Sequence, residues 1–215
     1  MKESVMRKII LSILLTSLMT GQSGAAEDAM SRESLDSLLV SIVTAEPENH
    51  ASVLGAALEE NPSETGLLVS TGLASGFSHQ SIQGQCDTGL SGGQIKDLMV
   101  LLIENDAEVE PVMASCLPHV PVEDLTDVMI AILQRVEPIR LEPTIQLALN
   151  IFSENGYDAR SVLVSSLVDS GALGVDGVDC GVDCLTPLAE NLIDGMALEK
   201  PVVDDEAQEP ALSNS

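Results

Sequence analysis

Val122-Glu123-Asp124-Leu125-Thr126-Asp127-Val128-Met129-Ile130-Ala131-Ile132-Leu133-Gln134-Arg135-Val136 is the stretch that decides the fold class. Its apolar members Val122, Leu125, Val128, Met129, Ile132, Leu133 and Val136 recur at steps of three and four. That spacing places them on one face of an α-helix. Segments far from it read the same way. Leu35, Leu38, Leu39, Ile42 and Val43 follow the same steps, as do Leu185, Leu188, Ala189, Leu192, Ile193 and Met196. No segment sustains the strict alternation of a half-buried strand, so the chain is expected to be all-α.

The residues between the apolar runs agree with this. Asn61-Pro62-Ser63-Glu64 offers a capping Asn followed by Pro at the first helical position. Ser91-Gly92-Gly93-Gln94 reads as a capping box. Thr186-Pro187 is expected to start the last helix, and Asn155-Gly156 and Ser170-Gly171 to stop earlier ones. About nine short helices follow for the mature chain. Ala45-Glu46-Pro47 and Glu60-Asn61-Pro62 echo one another, each leading into an apolar helix, and Glu137-Pro138 and Glu142-Pro143 echo them later. Helices started by Pro and containing Ala or Gly can stack closely, as in a helical-repeat solenoid. An irregular helical bundle fits two clean copies equally well. In composition such helices look like those of exported helical-repeat proteins, a likeness that transfers no residue roles.

The first 26 residues have a different character. Lys2, Arg7 and Lys8 precede the apolar run Ile9–Met19, and the small residues Gly24-Ala25-Ala26 precede Glu27-Asp28. This is the order of a secretory signal peptide cleaved after Ala26. The run is short for a bilayer span. The expected organisation is therefore a signal peptide at 1–26, one α-helical domain at 27–198, and a disordered, acidic, Pro-containing tail at 199–215. The mature protein is expected in a periplasm or outside the cell, with no stable membrane insertion.

Charge and aromatic content narrow the function classes. The net charge is −25, and removing the signal takes away three cations and one carboxylate, giving −27. Such a charge repels nucleic acid and anionic lipid. Phe77, Phe152 and Tyr157 are all the aromatics, with no Trp. Stacking platforms for sugars or bases need more than these supply. The aliphatic content suffices for the core of one domain of about 170 residues.

All four cysteines, Cys86, Cys116, Cys180 and Cys184, follow the signal. In an oxidising compartment the default is two disulfides of about 2–4 kcal/mol each. Cys86–Cys116 with Cys180–Cys184 is one pairing; both later cysteines bonded to the earlier ones is the other. A sharper reading takes Cys116, His119, Cys180 and Cys184 as a tetrahedral zinc set, although export favours disulfides. Asp176, Asp179 and Asp183, within three Gly-Val-Asp triplets, offer hard oxygens for Ca²⁺ at a spacing that fits neither an EF-hand nor the nonapeptide calcium repeat.

Catalytic footing is slight, and no catalytic residue or cofactor is assigned. His50 follows Glu48-Asn49 and is expected to be exposed. His79 lies between Ser78 and Ser81 in a Ser/Gln-rich stretch expected to be a loop. No nucleophile elbow, Walker loop or dinucleotide fingerprint occurs. Met99, Met113, Met129 and Met196 lie on or beside apolar faces and fill core rather than bind copper. The expected function is a non-enzymatic protein-interaction or structural module that binds a protein partner or itself. A calcium or zinc protein is the alternative, and a small secreted hydrolase using His79 or His119 is the second alternative.

Overall fold

The structure is a computed structural model and describes residues 26–173 and 182–198. The signal-peptide reading, apart from Ala26, lies outside the described residues. So do the acidic tail, Asp176, Asp179 and Cys180. The chain divides into two compact units, Met1–Val40 and Ser41–Ser215. The described part of the first is most of one helix, α1 (Ala26–Thr44).

The second unit continues with α2 (His50–Glu60), α3 (Thr65–Ala74), α4 (His79–Gln83), α5 (Gly92–Glu104) and α6 (Val109–Cys116). It ends with α7 (Leu125–Leu133), α8 (Leu141–Glu154), α9 (Ala159–Ser170) and α10 (Val182–Leu198). The described residues thus form ten α-helices and no strand, which is the all-α class expected.

Packing in this unit follows one rule. Each of these helices that packs on another does so on its neighbour in sequence or on the next but one. Helices α2, α4, α6, α8 and α10 lie against one another in succession, and α3, α5, α7 and α9 do the same. The result is an even layer and an odd layer, stacked pair upon pair. Each pair can bury its apolar face only against the pairs beside it. Of the two architectures the sequence allows, this is the helical-repeat one.

The residues that make the layers superimposable recur every 30 positions. Thr65, Ile95 and Leu125 are buried at the starts of α3, α5 and α7. Leu68, Leu98 and Val128 follow, then Val69, Met99 and Met129, then Gly72, Leu102 and Ile132, all buried. Helix α9 carries the pattern at Leu163, Ser166 and Leu167. It comes later than a 30-residue step, mostly because α8 has 14 residues where α6 has 8, with a longer connection before α8 adding the rest.

Two local devices turn the chain between layers. After α3, α5 and α8 the backbone enters the left-handed region at Gly76 (φ 91°), Asp106 (φ 64°) and Gly156 (φ 73°). The next amide then reaches back to the helix, from Phe77 to the Gly72 carbonyl at 3.0 Å, Ala107 to Leu102 at 3.0 Å and Tyr157 to Phe152 at 2.9 Å. This is the six-to-one bond of a Schellman closure. The second device is a single 3₁₀ turn leading into a helix: Pro47–Asn49, Pro62–Glu64, Val122–Asp124 and Pro138–Arg140.

Several local expectations are corrected. The Asn61 side chain makes no cap; its carbonyl instead accepts the Glu64 amide at 3.0 Å, closing the 3₁₀ turn. Val122 belongs to such a turn and is 58% exposed, so the central helix starts at Leu125. Pro187 lies inside α10 rather than at its start. The lost amide removes one backbone bond, while the apolar arc through Leu185, Ala189 and Ile193 continues past it. The Ser/Gln-rich stretch contains α4, because Ser78 caps it by accepting the Ser81 amide at 3.1 Å. The Ser91–Gln94 capping box forms as expected.

The even layer is also tied by polar and aromatic contacts. Gln85, 4% exposed, donates from Nε2 to the carbonyls of Ala51 and Ser81, each at 3.1 Å. Its Oε1 fills the space left by Gly55, where a Cβ would come within 2.7 Å. His50 is 8% exposed and stacks on Phe77 with ring centroids 3.7 Å apart, which corrects the expected exposure. Two faces of low polarity make a better partner for the imidazole plane than solvent does.

Candidate functional site

The expected site residues that are described lie on separate elements. Cys86 and Cys116 are bonded, with S–S 2.07 Å and Cα atoms 5.1 Å apart. Cys86 lies just past α4 and Cys116 ends α6, so equivalent ends of two successive even-layer helices are joined. Both residues are essentially inaccessible, at 1% and 0%. Disulfides persist in oxidising compartments. The bond therefore points away from a reducing cytosol, and no described helix is long and apolar enough to cross a membrane.

This pairing removes the zinc set. The Cys116 sulfur is committed to Cys86, and Cys184 is disulfide-bonded as well. Zinc is held by thiolates, not by disulfide sulfurs. His119 is exposed at the end of a 3₁₀ turn, Leu117–His119. Asp183 sits in the first turn of α10 rather than in a flexible loop, and its companions Asp176 and Asp179 lie outside the described residues. No group of three His, Cys, Asp or Glu side chains converges among the described residues. His79 is half-buried at the first position of α4, where the Ser78 and Ser81 hydroxyls bond each other at 2.8 Å. Those hydroxyls serve the helix start.

A different feature emerges on the outer side of the odd layer. Helices α5 and α7 leave an open groove of about 330 Å³ between them. Its floor is Val100, Ile130 and Ala131, all half-buried. Lys96, Asp97 and Asp127 stand toward the helix starts, and Gln134 and Arg135 toward the ends. The 30-residue step explains the lining: Asp97 and Asp127, and likewise Val100 and Ile130, hold the same position in consecutive pairs. Arg135 closes the far end, donating from Nε to Glu104 Oε1 at 2.7 Å and from Nη1 to the Ala131 carbonyl at 2.9 Å.

Two further cations are also engaged. Arg140 lies 3.9 Å from Glu110, and Arg160 reaches both Glu190 at 3.2 Å and Asp194 at 3.1 Å. The Arg160 hydrogen bond holds the Asp194 carboxyl below the usual carboxylate range, and Asp194 raises Arg160 in return. Among the described residues, Lys96 makes no ion pair. Sequence reading did not single out this groove, because its parts are ordinary surface residues until two helices stand side by side. The signal that was available was the 30-residue recurrence.

No family model matches the chain, and no curated protein or solved structure matches it either.

Proposed function

We propose that this is an exported, non-enzymatic protein whose stacked helices act as a protein-interaction or structural module in a periplasm or outside the cell. Export is read from residues 1–26, and the Cys86–Cys116 bond agrees with an oxidising destination. The observation that carries the reading is the succession of helix pairs held in register by that bond. Stacked pairs present long, regular side-chain rows, and such rows suit recognition of another protein. The acidic balance directs the module toward neutral or basic protein surfaces and away from nucleic acid.

The test uses the oxidised mature chain beginning at Glu27. Crosslinking within the exported fraction is followed by titration of any captured protein, and of the protein against itself, by light scattering. Saturable binding is the expected result. A strictly monomeric protein with no reproducible crosslinked partner overturns the reading. Export is checked by the mass of the secreted form, which begins at Glu27 if the signal is cleaved as read.

A further inference from the structure

We propose that the cleft between α2 and the α4–α5 connection binds a lysine side chain presented by a protein partner. The inference rests on the interaction-module reading and names what one of its contacts recognises. The cleft has a volume of about 440 Å³ and lies beside the C-terminal half of α2. Gly55, Glu59 and Pro62 come to it from α2 and the turn that follows, Thr88 and Leu90 from the connection, and Gln94 from the start of α5. Two glycines keep it open. Gly55 brings no side chain, and Gly89 turns at φ 85° with nothing within 4 Å of where a Cβ would stand.

The polar groups decide what the cleft takes. Its side-chain donors are engaged within the chain. Gln94 donates from Nε2 to the Leu58 carbonyl at 3.4 Å, and Thr88 from Oγ1 to the Gln85 carbonyl at 2.7 Å. Gln85 stands against Gly55 at the edge of the cleft, and its Nε2 serves the Ala51 and Ser81 carbonyls. Two acceptors are left. Gln85 is 4% exposed, and among the described residues no donor reaches its Oε1. That oxygen is not sealed off, because no fully buried side-chain oxygen or nitrogen of the described residues lacks a partner. Glu59 is exposed and makes no ion pair or hydrogen bond from its side chain among the described residues. None of the described lining residues is a cation. An alkylammonium matches this set, with three donors, no acceptor and a positive charge. Its aliphatic stem lies along Pro62 and Leu90 while the head reaches the acceptors. With 34 acidic residues against 9 basic ones, the chain attracts such a cation and repels an anion or the acidic surface of a second copy.

The experiment is an amide NMR titration of the oxidised mature protein with N-acetyl-lysine methylamide. N-acetyl-norleucine methylamide, an uncharged alkyl counterpart, and N-acetyl-glutamate methylamide are the controls. The lysine probe is expected to give saturable shifts centred on Gly55, Glu59, Gly89 and Leu90, half-complete on the order of 1–10 mM. The norleucine probe is expected to bind about fivefold more weakly, and the glutamate probe not at all. Glu59→Gln weakens the lysine probe about fivefold, and Glu59→Lys abolishes its saturable shifts. Glu59 lies in the last turn of α2, where a cation is favoured by the helix dipole, so Glu59→Lys is expected to melt no lower than wild type. Loss of binding in that variant is then not loss of fold. Shifts that never saturate, an equal response to norleucine, or binding that survives Glu59→Lys each overturn the inference. Glu59→Lys also enters the crosslinking experiment above. Partner capture that survives in it overturns the cleft as the contact and leaves the interaction-module reading intact, whereas capture lost from the folded variant supports both.

Discussion

Cys86 and Cys116 stand 30 residues apart in the chain and occupy equivalent ends of two successive even-layer helices, with Cα atoms 5.1 Å apart. The interval of the bond equals the interval of the fold. It therefore fixes the register between consecutive helix pairs, and it closes a loop that contains the whole of α5. Replacing both by Ala is expected to cost about 3.5 kcal/mol, from the entropy of a loop of this length in the unfolded chain. Urea unfolding of the double variant against the oxidised protein checks this. Because both sulfurs are buried, thiol reagents are expected to act only as fast as the pairs open.

Gly92 and Asp124 form a second link between pairs. The Asp124 carboxylate and Cβ occupy the space where a Cβ on residue 92 would stand. The carboxylate thus lies over the first turn of α5, where a negative charge is favoured by the helix dipole. Gly92→Ala forces these atoms apart and is expected to destabilise by about 1–3 kcal/mol. Thermal melts of Gly92→Ala, and of the same variant with Asp124→Gly, make the comparison. The second substitution should return most of the loss.

Gln85 bridges two even-layer helices through the Ala51 and Ser81 carbonyls. Gln85→Ala removes both bonds and opens space beside Gly55. The expected cost is about 1–3 kcal/mol, the penalty of leaving buried polar groups unpaired. Chemical denaturation reads it, and hydrogen exchange should show the loss concentrated in α2 and α4.

Arg160 and Asp194 couple α9 to α10, and this link depends on pH. The folded pKa of Asp194 is lowered, first by the Arg160 hydrogen bond. A lowered carboxylate contributes stability above its unfolded value, about pH 3.9, and loses it as pH falls through the folded value. Both groups are solvent-exposed, so the effect is small and screened by salt. Melting curves of wild type and Asp194→Asn should differ at pH 6 in low salt and converge toward pH 2.5. A difference that stays constant across that range contradicts the coupling.

Much of this was legible in the residues themselves. The period of Leu125, Val128, Met129 and Ile132 made a helix in any context, because an apolar face at that spacing has nowhere else to go. The Ser91–Gln94 box and the Gly156 and Gly171 stops were equally local, and they formed as read. The misreadings were also local in origin. His50 looked exposed because its neighbours in sequence are polar, yet Phe77, which covers it, is 27 residues away and arrives only when α2 and α4 stack. Pro187 looked like a start because the rule for Pro at helix starts takes no account of an apolar arc that continues on both sides. The 15-residue echo between Pro47 and Pro62 is the step from one layer to the other, and it drew attention from the 30-residue step that defines the pair.

The sequence by itself determined the helices, their approximate ends, the absence of stretches that alternate like strands, and an even set of cysteines, since each depends on side chains within a few turns of one another. The tertiary structure alone decided that the helices form two stacked layers, that Cys86 meets Cys116, and that Lys96 shares a groove with Asp127. Those outcomes depend on contacts between residues about 30 positions apart. Such contacts arise because a single helix pair cannot cover its own apolar face and must close it against the next.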